Sequence, residues 1–298
     1  MKNLLTIDLE DWHQLAFRRA TGQLPESGDA VSRQLDVLLG ILRQHRTRAT
    51  FFVLGMFAQA HPDLVLRVST EGHEIASHGY GHVIVNSISR QQFREDTARS
   101  KELLEDISGR RVIGYRAAEF SIRARSLWAL ELLAELGFQY DSSIFPIRHR
   151  RYGIPGFNAQ AMRYRLANGL QIVEIPPATI AIGGVRLPIA GGGYFRLMPA
   201  WLVCDAFQRV NREDAPVVAY FHPYELDPQR LDVFAANRPA TWQQRMRGWG
   251  FNLHQNLRRE SVPAKLSEVL KKFNFTTCEE FLSETSIFES KTVLSSQS

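Results

Sequence analysis

Short apolar, β-prone runs recur along this chain, and stretches of helical period separate many of them. The runs are NLLTID (3–8), RATFFVLG (48–55), HEIAS (73–77), RVIGYR (111–116), FQYDSS (138–143), LQIVEIP (170–176) and PVVAYFH (216–222). Among the helical stretches, Leu35, Leu38, Leu39 and Leu42 fall at i, i+3, i+4, i+7. Another opens on Ser89 as N-cap and closes at Gly109; a third ends at Gly137. PAKLSEVLKKFNF (263–275) reads as a last amphipathic helix. Strands alternating with helices predict an α/β fold with a mainly parallel sheet, open or closed. From about Phe145 to Pro199 the rhythm breaks into Gly- and Pro-rich loops, with room for hairpin strands. We read residues 1–284 as one domain and 285–298, polar and Ser-rich, as a disordered tail.

Bulk properties narrow the function classes. The 298 residues suit one α/β barrel, and 44% hydrophobic with 22% charged residues is ordinary for a globular protein. A net charge of +5 without any long run of like charges argues against nucleic acid as a partner. The short Arg clusters suit a solvated face or a few contacts to an anionic substrate; Arg148, Arg150 and Arg151 in particular suit either a solvated loop or a phosphate on a linked sugar. Cys204 and Cys278 are too few for a disulfide framework or a cysteine zinc site. No apolar stretch is long enough for a transmembrane segment, and the start lacks a secretory apolar region, so a cytoplasmic protein is expected, acting on a soluble precursor or at the inner membrane surface.

Polar residues gather where the strands end. NLLTID runs into Asp8, Glu10 and Asp11; HEIAS into His78 and His82; RVIGYR into Arg116; FQYDSS carries Asp141; PVVAYFH ends on His222. In parallel α/β folds the carboxyl ends of strands share one mouth, where active sites form. A strand-terminal Asp is more often a cap, and a lone His more often a loop residue. Five strands ending this way point to a site. His78, His82 and one carboxylate would make an open three-ligand set, as zinc takes in hydrolases. The glycines between the histidines allow either one helical turn or a tighter loop. His73 precedes its strand, away from the mouth, and reads as structural.

TIDLED, SHGYGH, GYRAAEF, YDSS and YFHPYE, in this order and spacing, resemble the motifs of the polysaccharide deacetylases, the NodB-homology family or carbohydrate esterase family 4. The resemblance runs from Leu4 to Pro228. FPIRHRRYGIP and GGGYFRLMP are similar to the branch linked to exopolysaccharide and O-antigen biosynthesis. Two departures stand out. The family has two adjacent aspartates, where this chain has Asp8, Leu9, Glu10, Asp11; its Arg motif carries Pro where Ala118 stands.

The resemblance implies a distorted (β/α) barrel of about seven strands with long inserted loops. It implies removal of N-acetyl groups from an N-acetylated glycan, or from a lipid- or nucleotide-linked sugar, with one divalent metal, zinc by preference. Asp8 would be the base, Arg116 its positioning partner and His222 the acid. Asp11, His78 and His82 would hold the metal, with Glu10 as the competing ligand. Asp141 and Ser142 would line the site and place an oxyanion donor, and Asp141 could orient His222. Tyr80, Tyr194 and Tyr224, with Trp12 and Phe120, could face the sugar. A cyclic-amide hydrolase of the allantoinase kind and an inactive glycan-binding module of the same fold are the alternatives.

Overall fold

The computed structural model describes residues 1–189 and 191–294. Its strands are β1 (Asn3–Leu9), β2 (Thr50–Val53), β3 (Glu74–Ser77), β4 (Gly114–Tyr115), β5 (Tyr140–Asp141), β6 (Met162–Leu166), β7 (Gln171–Glu174), β8 (Thr179–Ile182), β9 (Val185–Pro188), β10 (Val218–Phe221), β11 (Phe275–Thr276) and β12 (Glu289–Leu294). Seven of them lie side by side and parallel in the order β10-β1-β2-β3-β4-β5-β7. The ring is nearly closed, because Ala178, just past β7, donates its N–H to Val218 O of β10 at 3.1 Å. This is the distorted barrel, and each of its seven strands falls in one of the seven apolar runs.

Alternation along each strand sorts side chains inside from outside. On β1, Leu5, Ile7 and Leu9 face outward into the helix-lined core with Leu35, Leu38, Leu39 and Leu42, all fully buried. Leu4 faces inward with Phe52, Ala76, Tyr140, Val173 and Val218. Helix ends follow their local chemistry. Ser89 accepts from Gln92 N and Gln92 accepts from Ser89 N, while Gly109 turns left-handed at φ 65°.

Two features depart from the expectation, and the hairpins of the middle segment meet it. Val262–Lys272 is not the last helix, since Cys278–Glu284 follows it. The middle segment holds β6, antiparallel to β7, and the β8–β9 hairpin. In the segment expected to be a disordered tail, β12 runs parallel to β6; residues 295–298 lie outside the described residues.

The floor of the barrel is plugged by that final helix. Its first amides turn into the barrel, Cys278 N donating to Thr50 Oγ1 (2.8 Å) and Glu279 N to Glu74 Oε2 (3.0 Å). Glu74 also accepts from Thr50 Oγ1 (2.5 Å) and Tyr140 Oη (2.7 Å). Burial outweighs these bonds and raises Glu74 to about 7. A carboxyl raised from about 4.5 to about 7 on folding contributes stability that is full below the lower value and is lost as pH rises through the upper one. Glu74→Gln stays neutral throughout. Its melting temperature relative to wild type should therefore climb between about pH 4.5 and pH 7 and level off above. A difference independent of pH would refute the buried neutral carboxyl.

Candidate active site

The site is built on the carboxyl ends of the barrel strands. The inward parity of β1 (Leu4, Thr6, Asp8) continues through Glu10, so both carboxylates point into the barrel mouth. Asp8 Oδ1 accepts from Arg116 Nη1 at 2.8 Å. Arg116 is fully buried, and its other donors reach Thr6 Oγ1 (2.9 Å), Ser142 O (3.2 Å) and Ser142 Oγ (2.8 Å). The Phe52 ring lies beneath the guanidinium at 4.0 Å.

Glu10, His78 and His82 converge. Glu10 Oε2 is 3.7 Å from His78 Nε2 and 3.2 Å from His82 Nε2. That oxygen is buried and has no hydrogen-bond partner. His78 is held by its other nitrogen, Nδ1, which lies 2.8 Å from Arg116 O, leaving Nε2 for the mouth. The SHGYGH segment is a loop, with φ of 72° at Gly79 and 53° at His82, not a helical turn. Asp96 clamps it from the helix Arg90–Ser108, accepting from Tyr80 N (2.7 Å) and Gly81 N (2.9 Å). A Cβ on Gly79 would sit 2.9 Å from Asp96 Oδ2, so close approach and backbone both ask for glycine there. Arg18 fixes the other side, donating to Gly81 O (3.1 Å) and His82 O (3.2 Å). Two imidazoles and one orphaned buried carboxylate oxygen fit a zinc-like cation.

Asp11, the first choice among the carboxylates, is used elsewhere. It caps the helix Trp12–Thr21, Oδ1 accepting from His13 N (2.9 Å) and Gln14 N (3.3 Å). Its Oδ2 accepts from Ser27 Oγ (2.8 Å) and Gly28 N (2.9 Å). With four donors satisfied, it has nothing left to offer a metal.

His222 closes the set from β10. Its Nε2 lies 3.7 Å from Glu10 Oε1 and 3.9 Å from Asp8 Oδ2, and its Nδ1 faces Glu225 Oε2 at 3.5 Å. Burial alone would lower its pKa; Glu225, then Glu10 and Asp8, raise it to about 9. Burial alone would raise Glu10, yet the facing His82, His222 and His78 bring it down to about 2. His73 is buried away from the mouth, accepting from Ala49 N at 3.2 Å, and burial lowers it to about 4.

These groups line a cleft of about 460 Å³ together with Trp12, Phe120, Tyr152, Tyr220 and Tyr224. Of the three tyrosines expected at the sugar, Tyr224 lines the cleft and Tyr80 and Tyr194 do not. Tyr80 is turned away, its ring under Arg99 at 3.6 Å and its hydroxyl on Gln59. Tyr194 stands at the rim against Tyr152. Asp141 and Ser142 do not reach the cleft either. Both are fully buried beneath Arg116, and Ser142 N is spent on Tyr115 O (2.9 Å) while Asp141 accepts from Ser143. Ser142 accepts from Arg116, neither residue lines the cleft, and the carboxylate that faces His222 Nδ1 is Glu225 rather than Asp141. The cleft also holds Arg18, Arg19, Glu119, Arg151, Arg196, His254 and Gln255. Glu119, Arg151, Arg196 and Glu225 sit inside the quoted motifs. Arg18 and Arg19 come from the helix Trp12–Thr21, and no spacing in the sequence joins them to Arg151 and Arg196.

Comparison with known proteins agrees with this class of site. Residues 28–140 match the model of the polysaccharide deacetylases, and residues 142–283 match a domain of unknown function, DUF3473. The chain is 35% identical over 72 residues to a peptidoglycan-N-acetylglucosamine deacetylase of Bacillus cereus, covering 24% of this chain and 26% of that protein. It is 37% identical over 67 residues to a chitooligosaccharide deacetylase of Rhizobium leguminosarum bv. trifolii, covering 22% and 31%. These matches therefore span about a quarter to a third of the relatives' length. Among solved structures, a protein of Mycobacterium smegmatis described as a polysaccharide deacetylase superposes with a TM-score of 0.57 at 18% identity, covering 98% of this chain and 94% of its own. A carbohydrate esterase 4 family pseudoenzyme of Bacillus anthracis gives 0.50 at 12%, covering 97% and 70%. The likeness to the polysaccharide deacetylases in sequence lies in residues 28–140, a polysaccharide deacetylase domain by that match. The matched span carries His78, His82 and Arg116; Asp8 and Glu10 precede it, and His222 lies in the DUF3473 region.

The ligand assignment is open to a direct check. His78→Ala and Glu10→Gln should each hold well under about one equivalent of zinc by elemental analysis. Asp11→Asn should keep its zinc and lose roughly 1 kcal/mol of stability through a weakened cap. Zinc lost from the Asp11 variant alone would reverse the assignment.

Proposed function

We propose that this protein is a metal-dependent hydrolase that removes N-acetyl groups from an N-acetylated glycan. The observation that carries this reading is the convergence on one cleft of Asp8, His222 and the Glu10–His78–His82 set, with no two neighbouring groups more than 3.9 Å apart. The named activities of the deacetylase relatives support the same reaction class.

Glu10, His78 and His82 would hold a divalent cation, zinc by donor type; when bound it would acidify a water molecule and polarise the acetamide carbonyl. Asp8, turned toward the mouth by Arg116, takes the proton of the attacking water. Arg116 has no freedom to follow substrate, since every arm of its guanidinium is tied within the barrel. His222 gives a proton to the departing amine nitrogen, which is otherwise a poor leaving group. Glu225 keeps that imidazole charged and aimed. Trp12 and Tyr224, rings 5.6 Å apart, offer an aromatic wall for a sugar face.

The finer substrate reading is an anionic glycan, such as a sugar linked through phosphate to a lipid or nucleotide, in exopolysaccharide assembly. Arg19, Arg151 and Arg196 supply positive charge along the cleft, and the buried Nε of Arg196 has no partner.

His222→Ala should keep its zinc and its fold while losing roughly 10²–10⁴-fold in turnover, measured as amine released from N-acetylated oligosaccharides. Retained turnover would remove His222 from the reaction, and lost zinc would make it a ligand. Release from allantoin but not from acetylated sugars would favour a cyclic-amide hydrolase, and wild-type binding of glycan without any release would favour a binding module.

A further inference from the structure

The helix Trp242–Asn256 has two unlike faces. Its inner face is tied to the chain beneath. Asn252 Oδ1 accepts from Val233 N (2.8 Å), Asn256 Oδ1 accepts from Leu231 N (2.9 Å), and buried Gly248 packs against Phe234 too closely to admit a Cβ. Phe251, His254 and Gln255 of the same helix line the catalytic cleft.

The outer face is apolar and bare. Trp242, Met246, Trp249 and Leu253 stand at i, i+4, i+7 and i+11, and Leu257 continues the row just past the helix end. They are 71%, 55%, 59%, 60% and 53% exposed. Successive members of such a row project within one narrow sector of a helix. Leu197, 50% exposed, extends the patch, because Arg258 Nη1 donates to Leu197 O at 3.4 Å; Trp201 follows at 68%. Soluble monomers rarely present so large an apolar strip without a partner for it.

Charge says which partner. Between Asp232 and Glu260 the chain has no acidic residue, whereas Arg238, Arg245, Arg247 and Arg258 in that interval are all exposed. A second copy of this chain docked symmetrically would set these arginines against their own images. Tryptophan and leucine on one face, flanked by four exposed arginines against one nearby acid, Asp232 held by Asn252, match a helix lying in the headgroup region of an anionic bilayer. Among the described residues no helix is long and apolar enough to cross a membrane.

We propose that this face docks the protein on an anionic lipid surface. The Trp242–Asn256 helix lies in the interface plane, its stripe buried to roughly 5–10 Å and its arginines against acidic headgroups. Because the helix also lines the cleft, docking brings the site's mouth beside the bilayer. The proposal does not depend on which reaction the cleft performs.

Vesicle co-sedimentation tests it. Wild-type protein should pellet with vesicles of phosphatidylcholine and phosphatidylglycerol and stay largely in solution with phosphatidylcholine alone, and higher salt should weaken the binding. Trp249→Glu with Leu253→Glu should reduce partitioning at least roughly tenfold while melting temperature and solution mass stay unchanged. Quenching of wild-type tryptophan fluorescence by brominated lipid is a second readout that needs no variant. Wild-type protein that ignores phosphatidylglycerol vesicles and escapes quenching would overturn the proposal. So would a dimer in solution that the double variant dissolves, which would give this face to self-association.

Discussion

A buried guanidinium organises this protein. Arg116 sits inside the barrel with no exposed surface, and desolvating such a charge is costly unless every arm is satisfied. Here the arms reach β1 through Thr6 and Asp8 and the chain after β5 through Ser142, and the plane rests on Phe52 of β2. Its backbone serves as well. Arg116 N donates to Ser77 O of β3 (2.9 Å), and Arg116 O meets His78 Nδ1. One residue thus sets the carboxylate of Asp8 and the ring of His78 together. Lysine could not replace it, having no planar fork to span three strands.

The surroundings of Arg116 explain why buried carboxyls are tolerated so near the site. Asp141 and Glu174 are register partners on β5 and β7, both without exposed surface. Burial raises both, and for Glu174 the adjacent Asp141 raises it further. Two such groups side by side cannot both ionise, so Glu174 keeps its proton. Its Oε1 still accepts from Ile144 N (2.8 Å), while Asp141 holds Ser143, whose Oγ accepts from Ala117 N (2.7 Å). The loop that carries Ser142 is tied on both sides, and the arginine it supports is thereby fixed. Asp141 and Ser142 belong to a family motif, yet their work is done from below the cleft.

Much of this was legible in sequence, for a physical reason. The seven barrel strands are buried on both faces, so each shows as an apolar run, and the polar residues that end them mark the mouth. The choice between Asp11 and Glu10 could also have been read. Positions 4, 6, 8 and 10 share one face of an extended strand, whereas Asp11 falls out of phase and directly before a helix, where an aspartate caps. What stayed hidden has no local signature. Arg151 stood in a cluster the sequence offered for phosphate contact, but Arg19 and Arg196 join it only through tertiary folding. The helix Trp242–Asn256 turns its strongest hydrophobic stripe outward, so the rule that such a stripe faces the core fails there.

The two family matches meet inside the cleft. The deacetylase span supplies His78, His82 and the arginine that holds Asp8, but His222, its neighbour Glu225 and the cationic Arg196 all lie in the DUF3473 region. Gly191 and Tyr220 pair as a bridge, and a Cβ on Gly191 would collide with the Tyr220 ring, so the GGGYFR segment, which opens the short helix Gly192–Leu197, lies directly on β10 close to His222. Arg196 then reaches Gln255 O at 2.6 Å, tying that segment to the Trp242–Asn256 helix. A chain of direct contacts therefore runs from β10, which leads into His222, through a glycine-dependent segment, to the helix whose far side is apolar and exposed. In this protein the C-terminal region does more than complete the barrel: it ties the His222 side of the cleft to the surface next to it.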